Sequence, residues 1–312
     1  MTRTLAAAIL AAGTLFVVTS CGEKVPGEGT TIEKVRACVS VPPLAYIVDR
    51  IGGQRVESVV LVPPGQNPHV FEVTPKDMAA LSRAHIYFTI GMPIEEQVLP
   101  KLTAISRRIK IVDIRHGVFL RKMEESLAGE LEEHTDEPKG EAEHHHGELD
   151  PHVWLNPQLV STMAQTMCDE IKSLDTEHAT EYDARLRQLL EDLNRLDESV
   201  REKLASHSGK TFLVFHPAFG YFADAYGLEQ LAVEFEGKEP SARQLASIVE
   251  TARLKNIRTI FVQKQFPSRA AQALAREMGA SVVELDPLAY DYIGSIQAMA
   301  QSIAESFSIP SP

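Results

Sequence analysis

The sequence has little positive charge. Its 31 lysine and arginine residues are outnumbered by 43 aspartates and glutamates, which gives a formal net charge of -12. Nucleic-acid-binding proteins neutralise phosphates with clustered lysine and arginine, so this balance argues against a nucleic-acid partner. It suits a soluble protein, or one that attracts cations. Apolar residues still make up 44% of the 312 residues, enough for a hydrophobic core in two ordinary domains or one large one.

Cysteine is scarce, with three residues in the chain. Cys38 lies in the apolar run ACVSV and Cys168 lies in a predicted helix, so we expect both to be buried free thiols. A disulfide between them stays open, because a single pair of cysteines does not define a pairing framework. The third cysteine, Cys21, belongs to a processing signal.

The N-terminal apolar run is too short to span a bilayer. It extends from Leu5 to Val18 and leads into the phrase VTSC. Its length is typical of a signal-peptide core, and VTSC resembles a bacterial lipoprotein signal, in which cleavage leaves Cys21 first and its sulfur takes a lipid. An ordinary secretory signal with a chance cysteine is the alternative. We expect a signal peptide at residues 1–20 and a flexible tether, rich in glycine and polar residues, at residues 21–33.

The rest of the chain alternates between short apolar runs and stretches with helical spacing. This alternation predicts parallel sheets with helices on both faces. The predicted strands are VRACVSV, ESVVLV, HIYFTI and KIVDI, then TFLVFH, EQLAVEF, TIFVQK and SVVELD. Residues 121–148 interrupt the pattern, because they are poor in apolar residues and rich in charge and glycine. They predict a long exposed loop.

A long amphipathic segment separates the two groups of strands. In residues 176–207, apolar side chains recur at three- and four-residue steps without proline or glycine. The spacing predicts one helix of about thirty residues, roughly 45 Å long. A coiled coil is the alternative, but the apolar stripe is short for one. We therefore expect an α/β protein with two lobes, residues 34–175 and 208–312. Each lobe has a small parallel sheet flanked by helices, and the long rigid helix joins them.

Four candidate metal ligands lie at the ends of predicted strands or shortly after a strand or the long loop: His216 and Asp286 end the strands TFLVFH and SVVELD, His69 follows a strand, and His152 follows the loop. Two come from each lobe. Ligands collect beyond the carboxyl ends of parallel strands, and three imidazoles with a carboxylate suit a first-row divalent cation, above all zinc. Each residue has an ordinary alternative: a histidine after a strand can cap or pack, and Asp286 before Pro287 can be a helix N-cap. No compact motif such as HExxH ties the four together.

The phrases around these residues resemble a known family. NPHVFEVTP, DPHVWLNP, FHPAFGYFADAYGL, EFEGKEPSARQL and ELDPLA occur in this order. Together they are similar to the metal-binding solute-binding proteins of bacterial ABC importers, the zinc and manganese family. The resemblance covers nearly all of the mature chain and includes the lipoprotein signal. It implies two lobes joined by a rigid helix, a metal in the cleft between them, and His69, His152, His216 and Asp286 as its ligands.

The resemblance also bears on the choice of metal. Manganese-binding relatives commonly have a carboxylate at the third ligand position, where this chain has His216. More nitrogen donors favour zinc over the harder manganese ion, although this ligand set leaves manganese open. The chain departs from the family at Gln263, where many relatives have a glutamate. If that glutamate supports a metal ligand, the change alters the support.

The predicted loop contains further histidines, His134, His144, His145 and His146. A charged, histidine-rich loop is typical of the zinc branch of this family. We expect these imidazoles to bind zinc weakly and to lose it when they become charged below about pH 6.5. The alternative is a solvated acidic loop that binds metal only incidentally. Trp154 and Phe71 adjoin predicted ligands, and we expect them either to wall the site or to pack in the core.

The resemblance implies a binding protein rather than an enzyme. We expect a high-affinity extracytoplasmic zinc-binding component of an ABC importer, which captures zinc between the lobes and delivers it to a membrane permease. The expected protein is a periplasmic or cell-surface monomer, tethered to a membrane by a lipid on Cys21. The alternatives are a manganese- or iron-binding protein of the same family, a zinc-dependent hydrolase, and an adhesin at the cell surface.

Overall fold

The computed structural model describes residues 34–123, 149–234, 241–266 and 269–308, which belong to one compact unit. The predicted signal peptide, the tether with Cys21, and the loop histidines His134, His144, His145 and His146 lie outside the described residues. Within the described part, no helix combines the length and the apolar composition that crossing a membrane requires.

The N-terminal lobe is built on a four-stranded parallel sheet with the spatial order β2-β1-β3-β4. Its strands β1 to β4 are Val35–Val39, Val56–Val60, Ile86–Thr89 and Lys110–Asp113, and its helices α1 to α3 are Pro42–Gly52, Pro75–Leu81 and Pro93–Ile105. Each helix has a proline in its first turn, where the missing N–H has no intrahelical partner to lose. Thr74 and Asp77 form a reciprocal capping box at the start of α2.

After β4, the chain forms helix α4, Pro157–Leu174, and the long helix α5, Ala179–Leu204. Short 3-10 turns, Thr176–His178 and Ala205–His207, flank α5, so the predicted helix over residues 176–207 is confirmed as one 26-residue α-helix with a tighter turn at each end. Leu189, Leu193 and Val200 form part of its buried stripe.

The C-terminal lobe repeats the architecture of the first, with the spatial order β6-β5-β7-β8. Its strands β5 to β8 are Thr211–Val214, Glu229–Ala232, Thr259–Gln263 and Ser281–Leu285, and its helices α6 to α9 are Gly220–Tyr226, Ala242–Leu254, Arg269–Met278 and Tyr292–Ser306. The long helix α5 packs against α1 and α4 on one side and against α9 on the other. The predicted fold class, two parallel α/β lobes joined by a long helix, is therefore confirmed.

The eight predicted strands are all present, but each ends earlier than the sequence indicated. Strand β5 ends at Val214 and β8 at Leu285, so His216 and Asp286 lie just beyond their strands. The chain leaves each sheet at its carboxyl end, which is where open parallel sheets bind ligands.

Candidate metal centre

Three histidines from both lobes converge in the structure. The nitrogen atoms that His69, His152 and His216 offer as ligands all lie within 4.8 Å of one another. Ring centroids are 4.7 Å apart for His69 and His216, 5.4 Å for His152 and His216, and 6.2 Å for His69 and His152. These three histidines are among the four ligands predicted from the sequence, and the fold brings them together. We refer to them as the histidine cluster.

His152 is held by a buried carboxylate. Its backbone N–H donates to Asp150 Oδ1 at 2.9 Å, and its ring Nδ1 lies 2.7 Å from the same oxygen. Asp150 is fully buried and His152 is 3% exposed. A carboxylate acceptor at Nδ1 requires the proton on that nitrogen, which leaves the lone pair of Nε2 available to a metal. The phrase DPH carried this signal in the sequence, because the aspartate stands two residues before the histidine.

His216 has the same arrangement with a carboxylate from the neighbouring strand. Its Nδ1 lies 3.2 Å from Glu234 Oε2, and both residues are buried. Its Nε2 is buried without a hydrogen-bond partner. Burial lowers the pKa of His216, while its hydrogen bond to Glu234 opposes the change. A buried nitrogen without a partner costs free energy of folding unless something binds it. His216 Nε2 is therefore the atom of the cluster at which a ligand is expected.

His69 approaches the cluster from the loop between β2 and α2. Its backbone N–H donates to Asn67 Oδ1 at 2.9 Å, which fixes the turn that carries it. The residue as a whole is exposed, yet its ring contacts the other two imidazoles. Burial of the ring, together with His216 and His152, lowers the pKa of His69 well below its ordinary value. A neutral imidazole is the form that binds a metal.

Phe266 and Trp154 are the aromatic side chains beside the cluster. Phe266 stacks on His216, with ring centroids 4.8 Å apart and planes 23° apart, and its centroid is 6.1 Å from that of His69. Trp154 lies 5.3 Å from His152, centroid to centroid. Trp154, like Phe71, is a residue that the sequence predicts for this wall, whereas Phe266, which follows β7 by three residues, is not.

Trp154 also ties the two lobes together. Its Nε1–H donates to the carbonyl oxygen of Pro287 at 2.9 Å, and Tyr292 Oη donates to the carbonyl oxygen of Trp154 at 2.8 Å. Pro287 directly follows the fourth predicted ligand. These two bonds therefore anchor the segment after β8 to Trp154, two residues after His152.

Asp286 is not part of the histidine cluster as the structure describes it. Its Oδ1 accepts from Gln265 Nε2 at 2.7 Å and from the Leu288 N–H at 3.2 Å. The residues after Asp286 form a turn, and α9 begins only at Tyr292, which Asp291 caps. The alternative role of Asp286 as a helix N-cap therefore does not hold, and its role as a ligand stays a prediction.

Gln265, rather than Gln263, is the side chain bonded to Asp286. Gln263 is buried at the end of β7, where it pairs in register with Leu285. The prediction that Gln263 alters the support of a ligand stays untested. Gln265 Oε1 is buried without a hydrogen-bond partner, although its Nε2 holds the Asp286 carboxylate.

Two lobes, each with a small parallel sheet, and a histidine cluster between them are the architecture of a solute-binding protein. The family model described as ZnuA, the periplasmic component A of the zinc-uptake complex, matches residues 38–306. This chain belongs to the ZnuA family.

Individual relatives agree with this assignment. The high-affinity zinc uptake system protein ZnuA of Bacillus subtilis (strain 168) is 27% identical over 287 residues, which cover 88% of this chain and 88% of that protein. The zinc-binding lipoprotein AdcA of Streptococcus pneumoniae serotype 4 is 28% identical over 278 residues, 88% of this chain. The chain spans about half of AdcA, 53% of its length. A crystal structure of ZnuA superposes with a TM-score of 0.79 at 37% identity and covers 88% of this chain and 99% of its own.

Proposed function

We propose that the histidine cluster binds one zinc ion as cargo, with His69, His152 and His216 as ligands and Asp286 as the fourth. The observation that carries the proposal is the buried, unpartnered Nε2 of His216, which points to a missing partner inside a cluster of three imidazoles. Asp286 lies on a loop already anchored beside His152, so a side-chain rotation away from Gln265 is the change that would complete the set.

The ligand chemistry favours zinc. Zinc accepts three or four nitrogen, sulfur or oxygen donors in tetrahedral geometry, whereas manganese prefers a shell richer in oxygen. Carboxylates at the Nδ1 atoms of His152 and His216 orient the rings and raise their basicity, as is common for metal-binding histidines. Manganese and iron remain the competing ions within the same family.

The family places this binding step in import. The protein captures zinc outside the cytoplasm and hands it to an ABC permease, and it acts as a monomer tethered to the membrane by a lipid on Cys21. The histidines at positions 134, 144, 145 and 146 add weak zinc binding. These proposals rest on the signal at the N-terminus, the family and the loop composition.

A zinc-dependent hydrolase is the alternative function that the geometry of the cluster allows. Catalytic zinc usually has three protein ligands and an open position for water, and the histidine cluster alone would supply three. The family is one of transport proteins, which favours binding without catalysis. The role of Asp286 separates the two: a fourth ligand contributes to affinity, whereas a residue beside an open position would change turnover instead.

A calorimetric competition experiment tests the proposal. The mature protein and its His216→Ala, Asp286→Ala and His116→Ala variants are titrated with zinc, manganese and iron. We expect one tight zinc equivalent in the parent, its loss in His216→Ala, and weaker binding in Asp286→Ala. His116 is exposed and is not among the three histidines of the cluster, so its variant serves as the control. Tight zinc binding by His216→Ala would disprove the ligand assignment.

A further inference from the structure

Resting on the proposed zinc site, we propose that Arg121 is a positioning residue that couples the orientation of His152 to the C-terminal lobe. It is not a metal ligand. It connects the carboxylate behind His152 to helix α6, so that the contact between the lobes and the geometry of the histidine cluster depend on the same side chain.

The first half of the connection reaches His152. Arg121 Nη1 lies 3.5 Å from Asp150 Oδ2, while Asp150 Oδ1 accepts from the N–H and the ring of His152. The two oxygens of one carboxylate are thus divided between the arginine and the histidine. A fully buried carboxylate needs a counter-charge, because an isolated buried charge is very costly. Arg121, whose side chain is 13% exposed, supplies that charge.

The second half of the connection reaches the other lobe. Arg121 Nε lies 3.1 Å from Asp224 Oδ2, and Asp224 belongs to α6, which begins four residues after His216. A Cβ atom on Gly220, the first residue of α6, would lie 1.1 Å from Arg121 Nη1. A side chain at position 220 would therefore displace the guanidinium from the place where it meets Asp150 and Asp224.

Tyr221, also in α6, bonds to the backbone of both Arg121 and Asp150. The Arg121 N–H donates to Tyr221 Oη at 3.1 Å, and Tyr221 Oη donates to the Asp150 carbonyl oxygen at 3.2 Å. The Asp150 N–H in turn donates to the Arg121 carbonyl oxygen at 3.0 Å. The neighbouring residues Lys122 and Leu149 form an antiparallel bridge. Arg121 and Asp150 are therefore held as a pair against one tyrosine of the C-terminal lobe.

A consequence for zinc release follows from these contacts. Lobes that move apart must break the contact of Arg121 with Asp224 and the two hydrogen bonds of Tyr221 to Arg121 and Asp150. The pair that holds His152 then loses its support from the C-terminal lobe. Opening the lobes would thus loosen the orientation of one ligand, in addition to increasing the distance between His152 and His216.

Stopped-flow measurement of zinc dissociation tests the coupling. The zinc-loaded protein is mixed with excess chelator, and the metal-free form of each variant is melted in parallel. We expect Arg121→Gln to release zinc about tenfold faster or more, as losses behind a metal ligand typically cost 10–100-fold in affinity. Asp224→Asn should also release zinc faster than the parent. In the double variant, Asp224→Asn should add little to Arg121→Gln, because both changes break one connection.

Two ion pairs elsewhere provide matched controls. Arg50 pairs with Asp192 between α1 and α5 and donates to Tyr46 Oη, so Arg50→Gln removes a partly buried arginine that bonds neither to a cluster histidine nor to Asp150. Glu229 pairs with Lys255, and its side chain is 57% exposed, close to the 60% of Asp224, so Glu229→Gln matches Asp224→Asn. Both controls should keep the zinc dissociation rate of the parent, whatever their melting temperature.

The outcomes separate this inference from the proposed function. If the parent binds zinc tightly, His216→Ala does not, and Arg121→Gln keeps the parent dissociation rate, the coupling is wrong while the zinc site stands. Equal acceleration by Arg121→Gln and Arg50→Gln would likewise reduce Arg121 to a general structural role. If Arg121→Gln does not fold, Asp224→Asn against Glu229→Gln decides, and equal rates in that pair contradict the coupling.

Discussion

Each of the two buried histidines of the cluster has a buried carboxylate at its ring Nδ1. Asp150 and Glu234 accept from Nδ1 of His152 and His216. Each carboxylate fixes the tautomer and the direction of its ring before any metal arrives. Zinc affinity should therefore depend on residues that never touch the ion.

Replacing one of these carboxylates should weaken zinc binding without removing a ligand. We expect Asp150→Asn to lower the zinc affinity by about 10–100-fold, because the amide cannot hold the imidazole as a carboxylate does. Chelator competition monitored by absorbance measures the change.

The chain contains a matched Asp–His pair outside the site. His178 Nδ1 lies 2.9 Å from Asp175 Oδ1 at the start of α5. Asp175→Asn should leave zinc affinity at the parent value, although it removes an equivalent hydrogen bond. Equal losses in Asp150→Asn and Asp175→Asn would show that the effect is one of stability rather than of ligand orientation.

The lowered pKa values in the cluster predict how zinc retention changes with pH. Burial lowers the pKa of His69 and of His216 below the ordinary value of 6.5, so in the metal-free protein these two imidazoles stay neutral as the pH falls through that value. Protons therefore begin to compete with zinc at these two ligands only at a pH below 6.5. The predicted weak sites at His144, His145 and His146 should lose zinc first.

Equilibrium dialysis at a series of pH values from about 7.5 to about 5.5 checks this order of release. The weak equivalents should leave as the pH passes about 6.5, and the tight equivalent should be retained to a lower pH. Simultaneous loss of all zinc near pH 6.5 would contradict the assignment of the tight site to the buried cluster.

Sequence reasoning found the three histidines but not everything that supports them. Glu234 lies 18 residues after His216, and no local motif joins them. The parallel register of β5 and β6 pairs Val214 with Ala232, an offset of 18 residues, so the same offset brings His216 beside Glu234. That contact follows from strand pairing, which the sequence did not specify.

At the scale of secondary structure, the long helix is the element that both lobes share. The three-and-four spacing of its leucines predicted it, because no proline or glycine interrupts the pattern. Its exact ends depended on local turns at Thr176–His178 and Ala205–His207, which periodicity does not reveal. Strand ends were predicted too late for a similar reason, since apolar residues continue into the loops beyond the sheets.

Removing a buried side chain from this helix should lower the stability of the protein more than it changes zinc binding. Leu193 is fully buried in α5, and Leu193→Ala should cost about 2–5 kcal/mol in the free energy of unfolding. Urea denaturation of the metal-free protein measures the loss, with the exposed Ser199→Ala as the control. A change below about 1 kcal/mol would mean that α5 is not part of the cooperative core.

At the scale of the molecule, several side chains cross between the lobes around the cluster. Trp154 bonds to Pro287, Tyr290 Oη donates to Asp49 Oδ2 at 2.7 Å, and Arg121 meets Asp224. The loop that carries Asp286 is thereby attached to the N-terminal lobe although it follows a strand of the other one. With one continuous helix behind the cleft, we expect small rearrangements on zinc binding rather than wide closure.

The two-lobe architecture could be predicted from the alternation of apolar runs and helical spacing, and the position of the cluster from the strand ends. The contacts between the lobes could not, because Arg121, Phe266 and Tyr290 carry no periodic signal. Their roles depend on how two separate sheets are placed side by side, which only the folded structure shows.

The central claim is that one zinc ion is bound by side chains from both lobes. A crystal structure of the zinc-loaded mature protein, with anomalous scattering at the zinc edge, tests it most directly. We predict a single strong peak at about 2.0–2.1 Å from nitrogen atoms of His69, His152 and His216, with an Asp286 oxygen completing a tetrahedron. A peak confined to the histidines at positions 144–146, with none at the cluster, would contradict the account.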